Sequence, residues 1–343
     1  MQKVIGLDVH KKHINAVVLE PEGKELYREK IHNDRPKLDR FLSLIPKDSK
    51  IALESCSCWQ YVYDYLIEVG YTDVHLANPG KVRLIATSKK KTDFRDAKDL
   101  VDLLRANLLP TSYAPPKDIR EQRQITRHRE SIGRLAAEVK NKINAILIRH
   151  GIIHEFSDVF GVAGTEYLRS LNLPMCDRFE LDNYLSIIRH LKVQSDATEQ
   201  RIEEYVKYNS YARNVMTTPG ISHYSSLMIV SEIGEVQRFD LIRKLTSFAG
   251  LNPSVSQSGD KCYTGHIAKQ GDKHLRWILI QCANVAILHD SLLAKIYHRI
   301  ARRKGHNVAI VAVARKMLGY IYIMMTHNIP YQALQIHKDH KAS

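Results

Sequence analysis

Two short apolar segments at the start of the chain restrict its fold more than anything that follows. Residues 3–9 (KVIGLDV) and 13–19 (HINAVVL) are rich in β-branched residues and are separated only by HKK. Segments this short and this close together predict neighbouring strands joined by a tight turn. A third strand is expected at about 24–32, after the turn PEGK. Inside the first segment stands Asp8, with apolar residues on both sides. A buried, unpartnered carboxylate costs on the order of several kcal/mol, so the fold must supply Asp8 with a partner.

The next hundred residues suggest one. PKLDRFLSLI reads as a helix with Pro at its start, and KIALES as a short buried strand ending at Glu54. WQYVYDYLIEVG is an amphipathic helix closed by Gly70, and TDVHLANP is a further strand. From residue 89, KKKTDFRDAKDLVDLLRAN turns helical, with Leu100, Leu103 and Leu104 on its apolar face. Three strands in a meander, then helix–strand–helix–strand, is an α/β layer pattern. In such a fold the first and fourth strands can lie side by side, so that Asp8 and Glu54 face each other. Asp93 and Asp96, three apart at a helix start, share one face and can close the same site. Like charges cannot sit dry and close together, and a divalent cation resolves the conflict. Carboxylate oxygens suit Mg²⁺, and two such ions about 3.5–4 Å apart can clamp a phosphodiester. Lys89, Lys90 and Lys91 alongside offer charge to a DNA backbone. Taken singly, Asp93, Asp96, Asp99 and Asp102 also suit a solvated helix face, and Glu54 a strand end facing water. The order strand-Asp, strand-Glu, helix-Asp-x-x-Asp is more specific than any member.

Charge points the same way. The 343 residues hold 51 Lys and Arg against 37 Asp and Glu, a net charge of +14. That excess favours a polyanionic partner, most often nucleic acid. The five cysteines, Cys56, Cys58, Cys176, Cys262 and Cys282, form no even framework and fit a reducing cytoplasm. Cys56 and Cys58 are too close and too alone for a zinc site and are expected to be packing residues. With no leader-like start and no apolar run of roughly 18 residues, no membrane association is expected.

PTSYAPPKD at 110–118 is a proline-rich break. Two long helices are expected next. Ile125, Ile132, Val139 and Ile146 recur every seven residues; so do Leu181, Ile188, Ser195 and Ile202, with Tyr184, Leu191, Thr198 and Tyr205 as companions. The spacing predicts a coiled-coil pair, either antiparallel or between chains, with two ordinary bundle helices as the plainer alternative. The first helix is basic, and its Arg127 is a candidate nucleic-acid contact. TTPGISHYSSLMIVSEIGEVQRF resembles a helix–hairpin–helix with exposed turn amides. A hairpin and loop are expected in SQSGDKCYTGHIAKQGD, and apolar core helices in KHLRWILIQCANVAILH and NVAIVAVARKMLGYIYIMMTHN.

Taken together, IGLDVHKK, ALES, KTDFRDAKDL, PGI, SFAGLNP and GHIAKQGDKHLR resemble, in order and spacing over roughly 3–328, the DEDD-type insertion-sequence transposases. Piv-type DNA invertases and bridge-RNA-guided recombinases are part of that family. The resemblance implies an α/β plus α chain: an RNase H-like (RuvC-like) catalytic domain at 1–110, a coiled-coil connector at 118–210 and a mostly helical C-terminal transposase domain at 211–330. It implies that Asp8, Glu54, Asp93 and Asp96 are a Mg²⁺-binding tetrad. It further implies a structured non-coding guide RNA pairing with donor and target DNA, a homo-oligomer from dimer to tetramer, and a place at the nucleoid in a prokaryotic cytoplasm. The family's serine nucleophile lies in I-S-K-x-G; here that position is Ala268. Alanine has no oxygen to attack phosphorus, so the chain as it stands is expected not to form a covalent DNA link. Gly265, Ile267, Lys269, Gly271, Leu275 and Arg276 are all kept around it, which marks an inactivated variant of an intact motif. Ser256, Ser258, Tyr263 and Thr264 are the hydroxyls nearby should the nucleophile be shifted. Lys269 and Arg276 are candidate phosphate contacts. The expected function is an RNA-guided recombinase. The alternatives are a RuvC-type, metal-dependent, structure-specific nuclease using water, and a non-catalytic nucleic-acid-binding protein.

Overall fold

The computed structural model describes residues 2–85, 93–258, 261–267 and 270–334, except for the side chains of 93, 255–258, 261–264 and 266. Lys89, Lys90, Lys91, Ala268 and Lys269 lie outside the described residues. The chain divides into two compact units, Met1–Ala114 and Pro115–Ser343.

In the first unit, β1 (Val4–Val9), β2 (His13–Leu19) and β3 (Glu25–His32) form an antiparallel meander. The tight turn at HKK is closed by the His10 amide donating to the His13 carbonyl at 2.8 Å. After α1 (Arg35–Leu42), β4 (Lys50–Glu54) runs parallel to β1; after α2 (Trp59–Glu68), β5 (Val74–Ala77) runs parallel to β4. The sheet order is therefore β3-β2-β1-β4-β5. A short helix, α3 (Pro79–Ile85), precedes α4 (Asp93–Arg105). Asp34 caps α1, accepting from the Lys37 amide at 2.9 Å.

Strand alternation sends side chains to two separate cores. Ile5, Leu7 and Val9 of β1 and Ile51 and Leu53 of β4 pack with Leu38, Phe41, Val62 and Leu66 of α1 and α2. Val4, Val17, Leu19 and Ala52 pack on the opposite face with Ala97, Leu100, Val101 and Leu104 of α4. Burying faces on both sides is why the strands read as near-continuous apolar runs.

The second unit is mostly helical: α5 (Lys117–Arg149), α6 (Val162–Ser170), α7 (Met175–Tyr208), α8 (Ser210–Met216), α9 (His223–Ile233), α10 (Ile242–Phe248), the hairpin β6 (Pro253–Ser258) and β7 (Lys261–Ile267), then α11 (Lys273–His289), α12 (Ser291–Lys304) and α13 (His306–His327). The long helices α5 and α7 pack antiparallel within the chain. Asn209 donates to Gln122 at one end (3.2 Å), Arg129 pairs with Glu199 part-way along (2.6 Å), and His150 meets Asp177 at the other end (2.9 Å). Ile132 and Ile146 of α5 and Leu181, Ser195, Thr198 and Ile202 of α7 are buried, so the residues at seven-residue spacing line the contact. The hydroxyls of Thr126 and Thr198 are satisfied on the carbonyls one turn back, Gln122 (2.9 Å) and Gln194 (2.7 Å).

The core gathers around α9, α11 and α13. By length and composition α13 is long and apolar enough to cross a membrane, contrary to the expectation that no run is. More than half of it is buried, with Val313, Met317, Leu318, Ile321 and Met324 fully enclosed. In the turn between α8 and α9, Gly220 (φ +83°) is backed onto α11, where a Cβ would stand 2.7 Å from the Ala286 nitrogen.

Candidate active site

Asp8 takes its position from strand parity. It shares a face with Val4 and Gly6, the face covered by α4. Gly6 pairs with Ala52 and Leu7 with Leu53 in parallel register. The observed register ends at Leu7–Leu53, and strand parity puts Glu54, the next residue of β4, on the same face as Asp8. On its other side Asp8 pairs across the antiparallel ladder with Asn15. Helix α4 lies close on this face because Gly6 has no side chain. Its buried stripe is Ala97, Leu100, Val101 and Leu104, and Asp96 lies four residues before Leu100, next to that stripe.

Asp8 is only 5% exposed. Burial pushes its carboxyl above the ordinary carboxylate range; His10 and Asn15 pull it back, and the nearby charge of Asp96 pushes it up again. The contacts are His10 Nε2 to Asp8 Oδ2 at 2.8 Å and Asn15 Nδ2 to the same oxygen at 3.5 Å. Neither residue stands among the candidates named from sequence. Asn15 was visible as a lone amide in an apolar strand; His10 carried no pattern of its own. Glu54 is half-buried at the end of β4. Asp102, further along α4, is engaged with Lys98, both carboxylate oxygens standing 2.7 Å from Nζ.

The Cys56 and Cys58 thiols both point to the Val9 carbonyl, at 3.2 and 3.7 Å. Burial pushes Cys56 up to about 11, so it stays a neutral thiol.

Among the described residues no three His, Cys, Asp or Glu side chains form a ready ion site; the Asp93 side chain lies outside them. The donor set nonetheless fits a hard divalent cation. It consists of carboxylate oxygens, and it carries one buried carboxyl with a second negative charge against it, an imbalance a dication offsets.

In the second unit, the stretch that bears position 268 ends in a closely packed foot. Gly271 (φ +135°) would place a Cβ 2.3 Å from the Phe248 carbonyl oxygen, and Gly250 (φ +66°) one 2.4 Å from Arg276 Nη1. Both positions need glycine. Asp272 caps α11, accepting from the His274 and Leu275 amides at 2.9 and 2.8 Å. Arg276 donates to the Ala249 carbonyl at 3.3 Å, which holds it against the loop after α10.

Arg127 has an internal partner. Its guanidinium forks onto Glu232, with Nε to Oε1 at 2.6 Å and Nη2 to Oε2 at 2.7 Å. Glu232 is fully buried in α9. Burial raises its carboxyl above the usual range while Arg127 draws it down. Arg127 thus gives two of its donors to an internal carboxylate, while 40% of its side chain stays exposed. Glu232 was missed from sequence, although it sits in an apolar run, LMIVSEI, much as Asp8 sits in IGLDV.

Comparison with known proteins gives the family. Residues 5–151 match a family described as a DEDD-type IS110 transposase, and residues 212–298 match the family described as transposase IS116/IS110/IS902. The chain is 24% identical over 335 residues to the transposase for insertion sequence element IS1328 of Yersinia enterocolitica, covering 94% of this chain and 96% of that protein. It is 23% identical over 349 residues to the transposase for insertion sequence element IS1111A of Coxiella burnetii, covering 96% and 91%. A probable family 20 transposase of Pseudomonas aeruginosa is 24% identical over 345 residues, covering 96% and 98%.

Proposed function

This chain belongs to the IS110 family of DEDD transposases, enzymes that act on DNA, and on that premise we propose that it is built to cut and rejoin DNA strands with Asp8, Glu54, Asp93, Asp96 and the side chain at position 268, guided by a structured RNA. What supports this reading is Asp8, buried on the sheet face that α4 covers, with the charge of Asp96 acting on it and Glu54 on the same face by strand parity. The strand order β3-β2-β1-β4-β5, antiparallel then parallel, supports an RNase H-like, RuvC-like assignment for the first unit.

When bound, Mg²⁺ would supply Lewis-acid stabilisation of the phosphodiester oxygens, held by the four carboxylates. The chain's own residues prepare that site. His10 and Asn15 fix the orientation of Asp8 through Oδ2. Gly6 lets α4 approach so that Asp96 stands near Asp8. A serine at 268 would attack phosphorus through its hydroxyl oxygen, expel the 3′ or 5′ oxygen of the cut strand and keep the bond energy in a phosphoserine for rejoining. Ala268 has no such oxygen, so this chain holds its substrates without forming that link. The net charge of +14 supports an RNA partner beside the DNA.

The test is strand transfer on donor and target DNA with the RNA encoded beside the gene. Ala268→Ser should yield a protein–DNA adduct where the present chain yields none. A second reading, hydrolysis by water, is favoured by alanine at 268 together with an intact acidic set. Equal Mg²⁺-dependent cutting by both chains without an adduct would select it.

A further inference from the structure

We propose that Arg127 is a positioning residue that sets residues 270–275, which follow position 268 in the chain, and that the buried Glu232 holds it there. The proposal rests on the reading that position 268 is where the covalent link forms.

Glu232 has no exposed surface, yet it lies in a helix whose Leu227, Met228, Ile229, Val230 and Ile233 belong to the apolar core. An apolar pair of similar volume would serve the core's stability as well or better. An ion pair here therefore needs a further use, and Arg127 has one. Having given Nε and Nη2 to Glu232, it stands with Nη2 3.8 Å from Asp272 Oδ2. Asp272 is the last loop residue before α11. It holds the first turn of that helix through Oδ1, and its own amide donates to the Phe248 carbonyl at 2.7 Å. One turn further along α5, Glu130 Oε2 meets His274 Nδ1 at 2.5 Å. Arg123, one turn earlier, donates to the carbonyls of Ser231 (2.6 Å) and Glu232 (2.9 Å) at the end of α9. Arg123 and Arg127 thus fasten α5 to α9, while Arg127 and Glu130 reach the start of α11. Position 268 is four residues before Asp272 in the chain. Gly271 packs against the Phe248 carbonyl and the Gly250 amide, so a shift of Asp272 is passed to residues 270 and 271.

Two variants separate positioning from folding. Arg127→Lys keeps the charge and loses the planar fork. Asp272→Asn keeps a good helix cap and loses the charge facing Arg127. In the Ala268→Ser background with RNA and both DNAs, each should slow adduct formation on the order of tenfold or more, because small misplacements of a nucleophile are costly. Affinities for DNA and RNA, and the Tm of Asp272→Asn, should stay unchanged. In the chain as it stands, both variants should speed hydrogen exchange at residues 270–275 and leave the far end of the α5–α7 hairpin unaffected. Unchanged adduct rates with unchanged exchange would overturn the proposal. So would a rate loss matched by an equal loss of DNA affinity, which would make Arg127 a phosphate contact. If Ala268→Ser alone forms no adduct, the nucleophile assignment fails, and the exchange measurement still decides whether Arg127 sets residues 270–275.

Discussion

Gly6 lies so close under Ala97 that a Cβ on the glycine would stand 2.1 Å from the Ala97 carbonyl oxygen. The contact joins β1, which carries Asp8 two residues on, to α4, which carries Asp96 one residue back. Gly6→Ala must push the helix off the sheet. Overpacking of this kind costs about 1–3 kcal/mol. The expected outcome is a modest drop in Tm with a much larger loss of strand transfer in the Ala268→Ser background. A variant that loses stability and keeps full activity would show that the spacing of α4 from β1 is immaterial to the chemistry.

Asp8→Asn should separate stability from activity. The folded-state pKa of Asp8 lies above its unfolded value, so the native state holds more protons between the two values. Stability therefore falls as pH rises through that window and remains lower above it. Removing the charge should raise Tm at about pH 7, flatten the descent from acid pH, and abolish cutting. Mg²⁺ should raise the Tm of the parent more than that of the variant, since only the parent keeps the full carboxylate set. Thermal melts across pH, with chelator and with Mg²⁺, check both points; superimposable profiles would sink them.

Arg127 and Glu232 should behave as a unit. Arg127→Met alone leaves a buried carboxylate without its fork, at about 2–3 kcal/mol once the partial exposure of the guanidinium is allowed for. Pairing it with Glu232→Met should restore most of the Tm. Strand transfer should not return with it. A double variant that regains both would reduce the pair to a packing feature.

Gly271→Ala tests the loop foot by another route. The residue has φ +135° and no space toward Phe248, so the substitution combines backbone strain with a clash, of order 2 kcal/mol or more. Adduct formation with Ala268→Ser should be lost at temperatures where circular dichroism still shows folded protein.

Much of the first unit was readable because its signals are local. The spacing of KVIGLDV and HINAVVL, and the brevity of KIALE, lead to a meander followed by parallel strands, and parity then carries Asp8 and Glu54 to one face. The seven-residue spacing of Ile132 and Ile146 anticipated the seam between α5 and α7, while its intrachain, antiparallel course depends on contacts such as Gln122–Asn209 that no spacing encodes. Arg127 shows the opposite limit. Counting charges along a helix finds a basic face, but cannot say which guanidinium is taken by a carboxylate 105 positions away. The argument that singled out Asp8, a carboxylate in an apolar run, applies equally to Glu232 and would have flagged it. The helices α3 and α6 were missed for a simpler reason: with 7 and 9 residues they are too short to display a period.

The hairpin of α5 and α7 has a mechanical corollary. Its inner end is riveted at Arg127 to Glu232, and its outer end is tied off at Arg149 and His150 to Asp177. At 1.5 Å per residue the 22 steps between Arg127 and Arg149 span about 33 Å. The helical rise sets that length, and the pairing of α5 with α7 at both ends keeps the two helices in register along it.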